Sequence, residues 1–370
     1  MSQLETKYLH ALNLISALDL PKIHRLLTIF KSAQNLWQAS EESLRKAKVK
    51  NKNAYQFVYQ RQKINVEKTW QEFQLVQKKH HIQLLTPLNA DYPKLLREIA
   101  WPPFLLYCRG NIKLLNSKRL VSMIGSRKAT AYGQRVVQDA VEQLVRFNFV
   151  TVSGLAFGID GETHKQTLNF HGKTIAVLGT SVLDEEIYPA INLGLAKEIL
   201  KNNGLLISEY APGTISYPKN FPERNRIIAG LAPATIVVEA NKKSGSLITA
   251  RFARENNREV FAVPGDIFSQ RSSGTNWLIE QGATPWLSCA SLFSALEYLR
   301  QNLNTDQENI TSQNFSPAEK EILACFEGTP LTLEALTKKS EKTISEIMQL
   351  VTALVLKTAL HDCGNGQYVK

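Results

Sequence analysis

Three stretches of this sequence carry groups suited to holding phosphate. Gly125-Ser126-Arg127 follows an apolar run, and Lys219 precedes Phe221-Pro222-Glu223-Arg224-Asn225-Arg226. Lys243-Ser244-Gly245-Ser246 sets a lysine and two hydroxyls at the start of a helix-length segment, and Ser153-Gly154 opens a further loop of small residues running to Asp160. Amides left free at a helix N-terminus, with a hydroxyl and a cation beside them, bind oxyanions. Each stretch alone also has a plainer reading, as a turn, as surface charge or as a structural ion pair. Their arrival at one edge of a sheet is what points to a site. Several phosphates in series suit a polymer better than a mononucleotide. Phe221 and Tyr217 offer faces on which the bases of a single strand could stack, or they pack inside.

Catalytic groups are sparser. Asp160 and His164 lie four apart on one helix face, a spacing that suits an acid–base pair or two metal ligands. The plainer reading, preferred here, has Asp160 capping its helix and His164 in an internal hydrogen bond. Glu239 ends a strand, as does the acid of nucleotide-hydrolysing Rossmann enzymes, but it has no nucleophile or second acid beside it in the sequence. A dinucleotide site needs GxGxxG after the first strand, and here Arg127 stands in the place of the middle glycine. No acid ends the second strand to grip a ribose, and the sequences GxxxxGK[ST], HExxH and GxSxG are absent. NAD and ATP are therefore poor candidates.

The elements that must position these groups alternate regularly between residues 116 and 300. Apolar, β-rich runs at 120–124, 149–152, 174–178, 205–207, 235–238 and 260–263 are separated by helix-length stretches such as 132–146 and 247–256. Strands that are apolar throughout are buried on both faces. That predicts an α/β domain with an extended Rossmann-like, doubly wound, mostly parallel sheet. Residues 1–80 show helical spacing, with Pro21 at the start of a second helix, and read as a SAM-like or helix-hairpin-helix-like domain. Its turn, Leu18-Asp19-Leu20-Pro21, lacks the glycines that would bring amides up to phosphate. Residues 81–115 read as a connecting extension packed on the core, and 301–315 as a polar linker. Residues 316–370 read as a winged-helix domain: a helix from Ser316-Pro317, a short one at 333–336, a third capped by Ser340, and a wing around Gly364-Asn365-Gly366.

Lys and Arg total 44 against 33 Asp and Glu, a net charge of +11 over 370 residues. The first 115 residues hold 18 of these cations and 8 of the acids, much of the excess in the run Arg45 to Lys52. That run reads equally as a solvated helix face or as an attractor for nucleic acid. The winged-helix segment is slightly acidic, its third helix offering Lys342 beside Glu341 and Glu346, so protein contact is preferred to DNA reading there. Cys108, Cys289, Cys325 and Cys363 include no CxxC pair, no apolar run reaches the ~20 residues of a membrane helix, and residues 1–7 hold no signal-peptide core. A reduced, cytoplasmic protein with no membrane association is the expectation.

Taken together, the motifs resemble the DprA/Smf family, bacterial DNA-processing proteins of natural transformation. The resemblance rests on Asp91-Tyr92-Pro93-Lys94-Leu95-Leu96, Pro102-Pro103-Phe104, Ile124-Gly125-Ser126-Arg127 and the run from Val152 to Asp160. It continues through Phe221 to Leu231, Lys243 to Ala250, Val263-Pro264-Gly265 and Gly274-Thr275-Asn276. It implies a non-catalytic homodimer, without cofactor or metal, that binds incoming single-stranded DNA, shields it and helps load RecA. The DNA site so implied comprises Gly125, Ser126, Arg127, Ser153, Gly154, Lys219, Phe221, Arg224, Asn225, Arg226, Lys243, Ser244, Gly245 and Ser246. The loop 179–189 departs from the family pattern, with added acids and Ala190 where a lysine is common. Two alternatives stay open. One is a nucleotide-phosphate hydrolase of the lysine-decarboxylase-like Rossmann group, using Glu239 and the Gly245 loop. The other is a docking scaffold that works through the winged helix.

Overall fold

The computed structural model describes residues 3–296, 315–326, 330–340, 342–356, 359–364 and 366–369. The chain opens with six helices: α1 (Gln3–Asn13), α2 (Leu20–Phe30), α3 (Ala33–Gln38), α4 (Glu41–Lys46), α5 (Asn51–Gln62) and α6 (Val66–His80). Their apolar faces meet around Leu12, Leu26, Leu36, Leu44 and Phe57. Asp19 caps α2, its carboxylate accepting from the Lys22 amide at 3.0 Å. The first helical turn therefore presents a carboxylate where a phosphate would have to approach.

A nine-stranded sheet follows. Its strands are β1 (Ile82–Leu85), β2 (Leu106–Gly110), β3 (Leu120–Ile124), β4 (Val150–Ser153), β5 (Lys173–Val177), β6 (Leu205–Ser208), β7 (Ala234–Val237), β8 (Glu259–Ala262) and β9 (Thr284–Pro285). The order across it is β1-β2-β6-β5-β4-β3-β7-β8-β9. From β6 through to β9 all pairings are parallel, while β1 and β2 add antiparallel at one end. The segment expected to be a mere extension thus supplies two strands. Its apolar residues Leu106, Tyr107 and Cys108 are fully buried in the sheet. The run at 120–124 is a strand as read, and the other five agree to within a residue at each end.

Helices cover both faces. Beneath one lie α11 (Asn220–Leu231) and α12 (Gly245–Glu255), whose Ile227, Ile228 and Ala250 pack on Val152, Val177 and Val237. Over the other lies α8 (Ala131–Arg146), with Val137, Ala140 and Leu144 against Val121, Met123 and Ile236. Every residue of β3, β4 and β7 is buried, as continuous apolar strands require. Between β3 and β7 the winding reverses, and in open α/β sheets ligands bind at such a switch point, beyond the strands' carboxyl ends. The remaining helices of this region are α7 (Lys94–Arg97), α9 (Ile159–Asn169), α10 (Leu193–Lys201), α13 (Ser273–Glu280) and α14 (Cys289–Ala295).

The C-terminal segment forms helices Pro317–Ala324, Leu333–Ser340 and Ile344–Leu356 with a three-stranded sheet, Gln367–Val369 lying between Leu331–Thr332 and His361–Gly364. Ser316 caps the first helix in a reciprocal box with Glu319. Ser340 does not cap the third: it ends the second, its hydroxyl donating to the Leu336 carbonyl at 2.8 Å. Thr343 holds the third helix's start instead, its Oγ1 accepting from the Glu346 amide at 3.4 Å. The expected linker residues 301–314, and Asn365 of the expected wing, lie outside the described residues.

Candidate functional site

At the switch point the loops after β3 and β7 and the starts of α11 and α12 enclose a cleft of about 350 Å³. Gly125, Ser126 and Arg127 line one wall, Phe221, Arg224 and Asn225 another, and Ser244, Gly245 and Ser246 a third. The three strand-end loops do converge. The Gly-Ser-Arg loop is fixed from below: the Ser126 carbonyl accepts from the Ile159 amide, at 3.1 Å, at the head of α9. Gly158, at φ +72°, permits this approach, since a Cβ there would strike the Ser126 carbonyl and the Arg127 backbone. Ser126 is buried, while Arg127 and Lys128 point outward and are exposed. On the third wall Ser244 caps α12 by accepting from the Ser246 amide at 3.3 Å, and Asn225 Nδ2 donates to the Gly245 carbonyl at 3.3 Å. That ties the starts of α11 and α12 together. A side chain at Gly245 would meet nothing within 4 Å, so backbone there is open to a ligand.

Arg271 is the site residue that sequence reasoning missed. It lines the cleft, and its Nη1 donates to Ser126 Oγ at 3.2 Å across 145 residues of chain. The loop after β8 carries it, so the rule that nominated the other strand-end loops covers it too.

The nominated arginines play different parts. Arg224 lies beneath the cleft, 3% exposed, donating to the carbonyls of Gly154 (2.6 Å) and Val177. Asp160 is buried beside it, and a Cβ on Gly154 would collide with both groups. Burial pushes the Asp160 carboxyl up, opposed by the Arg224 guanidinium and the amides of Gly125 and Gly154. Burial pulls Arg224 down to about 10, opposed by Asp160, which leaves it charged at neutral pH. The pair is the floor of the site. Asp160 therefore does not cap α9, whose N-cap is Gly158; it holds the Gly125 amide of the neighbouring loop at 3.4 Å. Arg226 lies outside the cleft. Because α11 begins at Asn220, residues 224 and 226 are inside the helix and about 200° apart around it. Arg226 consequently points the other way and pairs with Glu209.

Ser153 is also structural, fully buried with its hydroxyl donating to the Met123 carbonyl at 2.7 Å. Gly154 contributes through the space it leaves for Asp160 and Arg224. Lys219 and Lys243 are exposed but absent from the cleft wall; Lys219 faces a larger groove with Tyr217. Phe221 lines the cleft half-buried, its ring against Gly179 and 5.3 Å from that of Tyr188.

The catalytic candidates are absorbed by structure. His164 is buried with Nδ1 2.7 Å from Thr174 Oγ1, and burial drops its pKa to about 3, so it is neutral. Glu239 is 4% exposed and accepts from both the amide (3.1 Å) and the hydroxyl of Thr130, the N-cap of α8. A carboxylate engaged by two donors under a helix start is committed to holding the head of α8. Among the described residues no three His, Cys, Asp or Glu side chains group as metal ligands. In the 179–189 loop Asp184 is held by Arg109 and lies 3.7 Å from Lys197, so one of the added acids is neutralised. No described helix is long and apolar enough to cross a membrane.

Comparison with known proteins places this arrangement. Residues 83–297 match the family described as DNA recombination-mediator protein A. A Smf protein of Synechocystis is 33% identical, over 94% of each chain. The DNA processing protein DprA of Bacillus subtilis is 43% identical over 56% of this chain and 69% of its own. Among solved structures, DprA of Streptococcus pneumoniae aligns with a TM-score of 0.65 and 34% identity, over 75% of this chain and 94% of that one. The Helicobacter pylori protein, whose structure concerns a single-stranded DNA binding mode, aligns with a TM-score of 0.52 and 32% identity, over 59% of this chain and 98% of that one.

Proposed function

This chain belongs to the DNA recombination-mediator protein A (DprA/Smf) family, and on that premise we propose that its switch-point cleft binds single-stranded DNA without chemically altering it. The observation that carries this reading is the cleft's inventory: exposed Arg127 and Lys128, Arg271 and the open backbone at Gly245 on its walls, with the buried carboxylate Asp160 beneath them lying beside Arg224 and accepting from the Gly125 amide. Cations without carboxylate partners beside accessible backbone form a phosphate site, not a hydrolytic one. Phe221 on the same wall offers a ring edge to a base. The hydrolase alternative loses its acid, since Glu239 is engaged by Thr130.

In this reading the bound strand is shielded and handed to RecA for recombination during transformation, in the cytoplasm. Two copies associate through the sheet domain. Leu287, two residues beyond the terminal strand β9, is 78% exposed, an apolar side chain at the sheet's end that supports such a homodimer. The C-terminal segment is read as a winged helix that meets protein rather than DNA. Its third helix displays Ile344 and Met348 to solvent, and Lys342 is engaged by Glu321 at 2.8 Å.

The test is fluorescence anisotropy of a labelled single-stranded oligonucleotide with wild type and Arg127→Ala, challenged by unlabelled duplex. Tight binding that resists duplex and is lost in the variant supports the reading. Equal, weak binding to both strand forms, unchanged in the variant, overturns it.

A further inference from the structure

The N-terminal helices carry a basic, aromatic surface that the cleft does not use. On α5 the positions Lys52, Tyr55 and Tyr59 follow one another at i, i+3 and i+7, so they form one stripe, with Lys63 directly after the helix. The opposite face supplies buried Ala54 and Phe57 to the domain core. Tyr55 is 59% and Tyr59 47% exposed, yet their rings are ordered side by side, centroids 6.2 Å apart and planes 12° from parallel. Lys63 lies over the Tyr59 ring at 4.1 Å from its centroid.

The charge around the stripe is unbalanced. In α4 the cations Arg45 and Lys46 are matched by Glu41 and Glu42. Beyond them Lys48, Lys50 and Lys52 are exposed, and no ion pair to a carboxylate is formed by these three or by Lys63 among the described residues. Lys52 and Lys63 beside two near-parallel, solvent-facing rings, with Lys48 and Lys50 just ahead of the helix, form a surface that attracts polyanions. Rings set among cations are what sequence-tolerant binding of single strands uses: bases stack on the aromatic faces and phosphates lie along the lysines. An acidic protein surface would satisfy the lysines, but it gives the exposed rings no planar partner.

We propose that this face of α5 is a second contact for single-stranded DNA, engaging nucleotides of the same strand beyond those held in the cleft. The proposal rests on the single-strand reading of the protein, yet it concerns residues that the cleft does not contain. The helices bearing the stripe are packed onto the sheet, with α1 joined to it by Asn13 Nδ2 donating to the Glu209 carbonyl at 2.7 Å, so the surface is held in place relative to the core. It also gives a use to a basic run that sequence alone left between solvation and attraction.

The test uses the full chain and two labelled oligonucleotides, one of about 8 nucleotides that a single site fills and one of about 40 that can span both. Tyr55→Ala/Tyr59→Ala is expected to bind the short strand like wild type and the long strand about ten-fold more weakly. Lys50→Ala/Lys52→Ala is expected to reduce the salt slope for the long strand by about 1.4, two phosphates at ~0.7 each. Circular dichroism should be unchanged, because all four side chains are exposed. Unchanged long-strand affinity and slope in both variants would overturn the proposal while leaving the cleft reading intact. An unchanged Arg127→Ala alongside a weakened tyrosine variant would overturn the cleft and keep this surface. Loss of an acidic protein's binding in the lysine variant, with DNA binding untouched, would also count against it.

Discussion

Two concavities flank α11, and the smaller is the better candidate. The cleft at the β3–β7 switch is about 350 Å³, and the groove between the α1–α2 turn and the 209–219 loop about 690 Å³. Each has an arginine from α11 in its wall. In the cleft Arg224 lies beside Asp160 below, and the exposed charged groups on the rim are the cations Arg127 and Lys128. In the groove Arg226 is engaged by Glu209, and Asp19 and Glu223 add further negative charge beside Lys219. A polyanion site depends on where unmatched positive charge meets open backbone; volume alone favours the wrong concavity.

The largest effect expected is structural. Arg224→Ala leaves Asp160 buried without its neighbouring guanidinium and frees two carbonyls, which should cost about 3–5 kcal/mol. Urea unfolding measures it; a loss under 1 kcal/mol would mean that Arg224 does not support Asp160 and the two carbonyls as described. Next, Arg127→Ala and Arg271→Ala should each leave unfolding unchanged and weaken single-strand binding about ten- to a hundred-fold, as lost charged hydrogen bonds of ~1.5–3 kcal/mol imply. Arg226→Met paired with Glu209→Gln should leave affinity within about two-fold. If the groove pair matters as much as Arg127, the contrast drawn above fails.

Both regions also stand near buried neutral imidazoles. His10, 2.8 Å from Tyr107 Oη, falls to about 4 by burial, and His164 to about 3. An unfolded histidine takes its proton near 6.5, and these do not until far lower. Stability is therefore full above pH 6.5 and falls on acidification towards pH 4, by about 1.4 kcal/mol per unit for each group. A pH series of melting temperatures with His10→Gln should show a shallower decline. The smallest effect on stability belongs to Glu239→Gln, about 0.5–2 kcal/mol from a weakened helix cap, with DNA binding unaltered. Loss of any nucleotide-cleaving activity in that variant would revive the hydrolase reading.

Much of this was legible. Continuous apolar runs such as Leu120–Ile124 announce strands buried on both faces, and the motif Gly125-Ser126-Arg127 after the first of them marks the cleft's exposed cation. The two arginines of α11 were less legible. The family motif assigns both to one site, but a helical register separates neighbours two apart. Ser153 and Asp160 look like ligand groups in one dimension and are buried hydrogen-bonding groups in three. Residues 81–115 hid two strands, because β1 and β2 join the sheet antiparallel at its end, outside the strand–helix rhythm.

By itself the sequence determined the rhythm of elements, the family motifs and the excess of positive charge, since each of these is written in residue type and local spacing. Tertiary structure alone decided which cations remain available. Arg127 forms no ion pair among the described residues because its loop turns outward over Gly158, while Arg224 lies beside a carboxylate 64 residues away in the chain and Arg226 pairs with one 17 residues away. Charge availability depends on burial and partnership, and both are settled by contacts that no local pattern encodes.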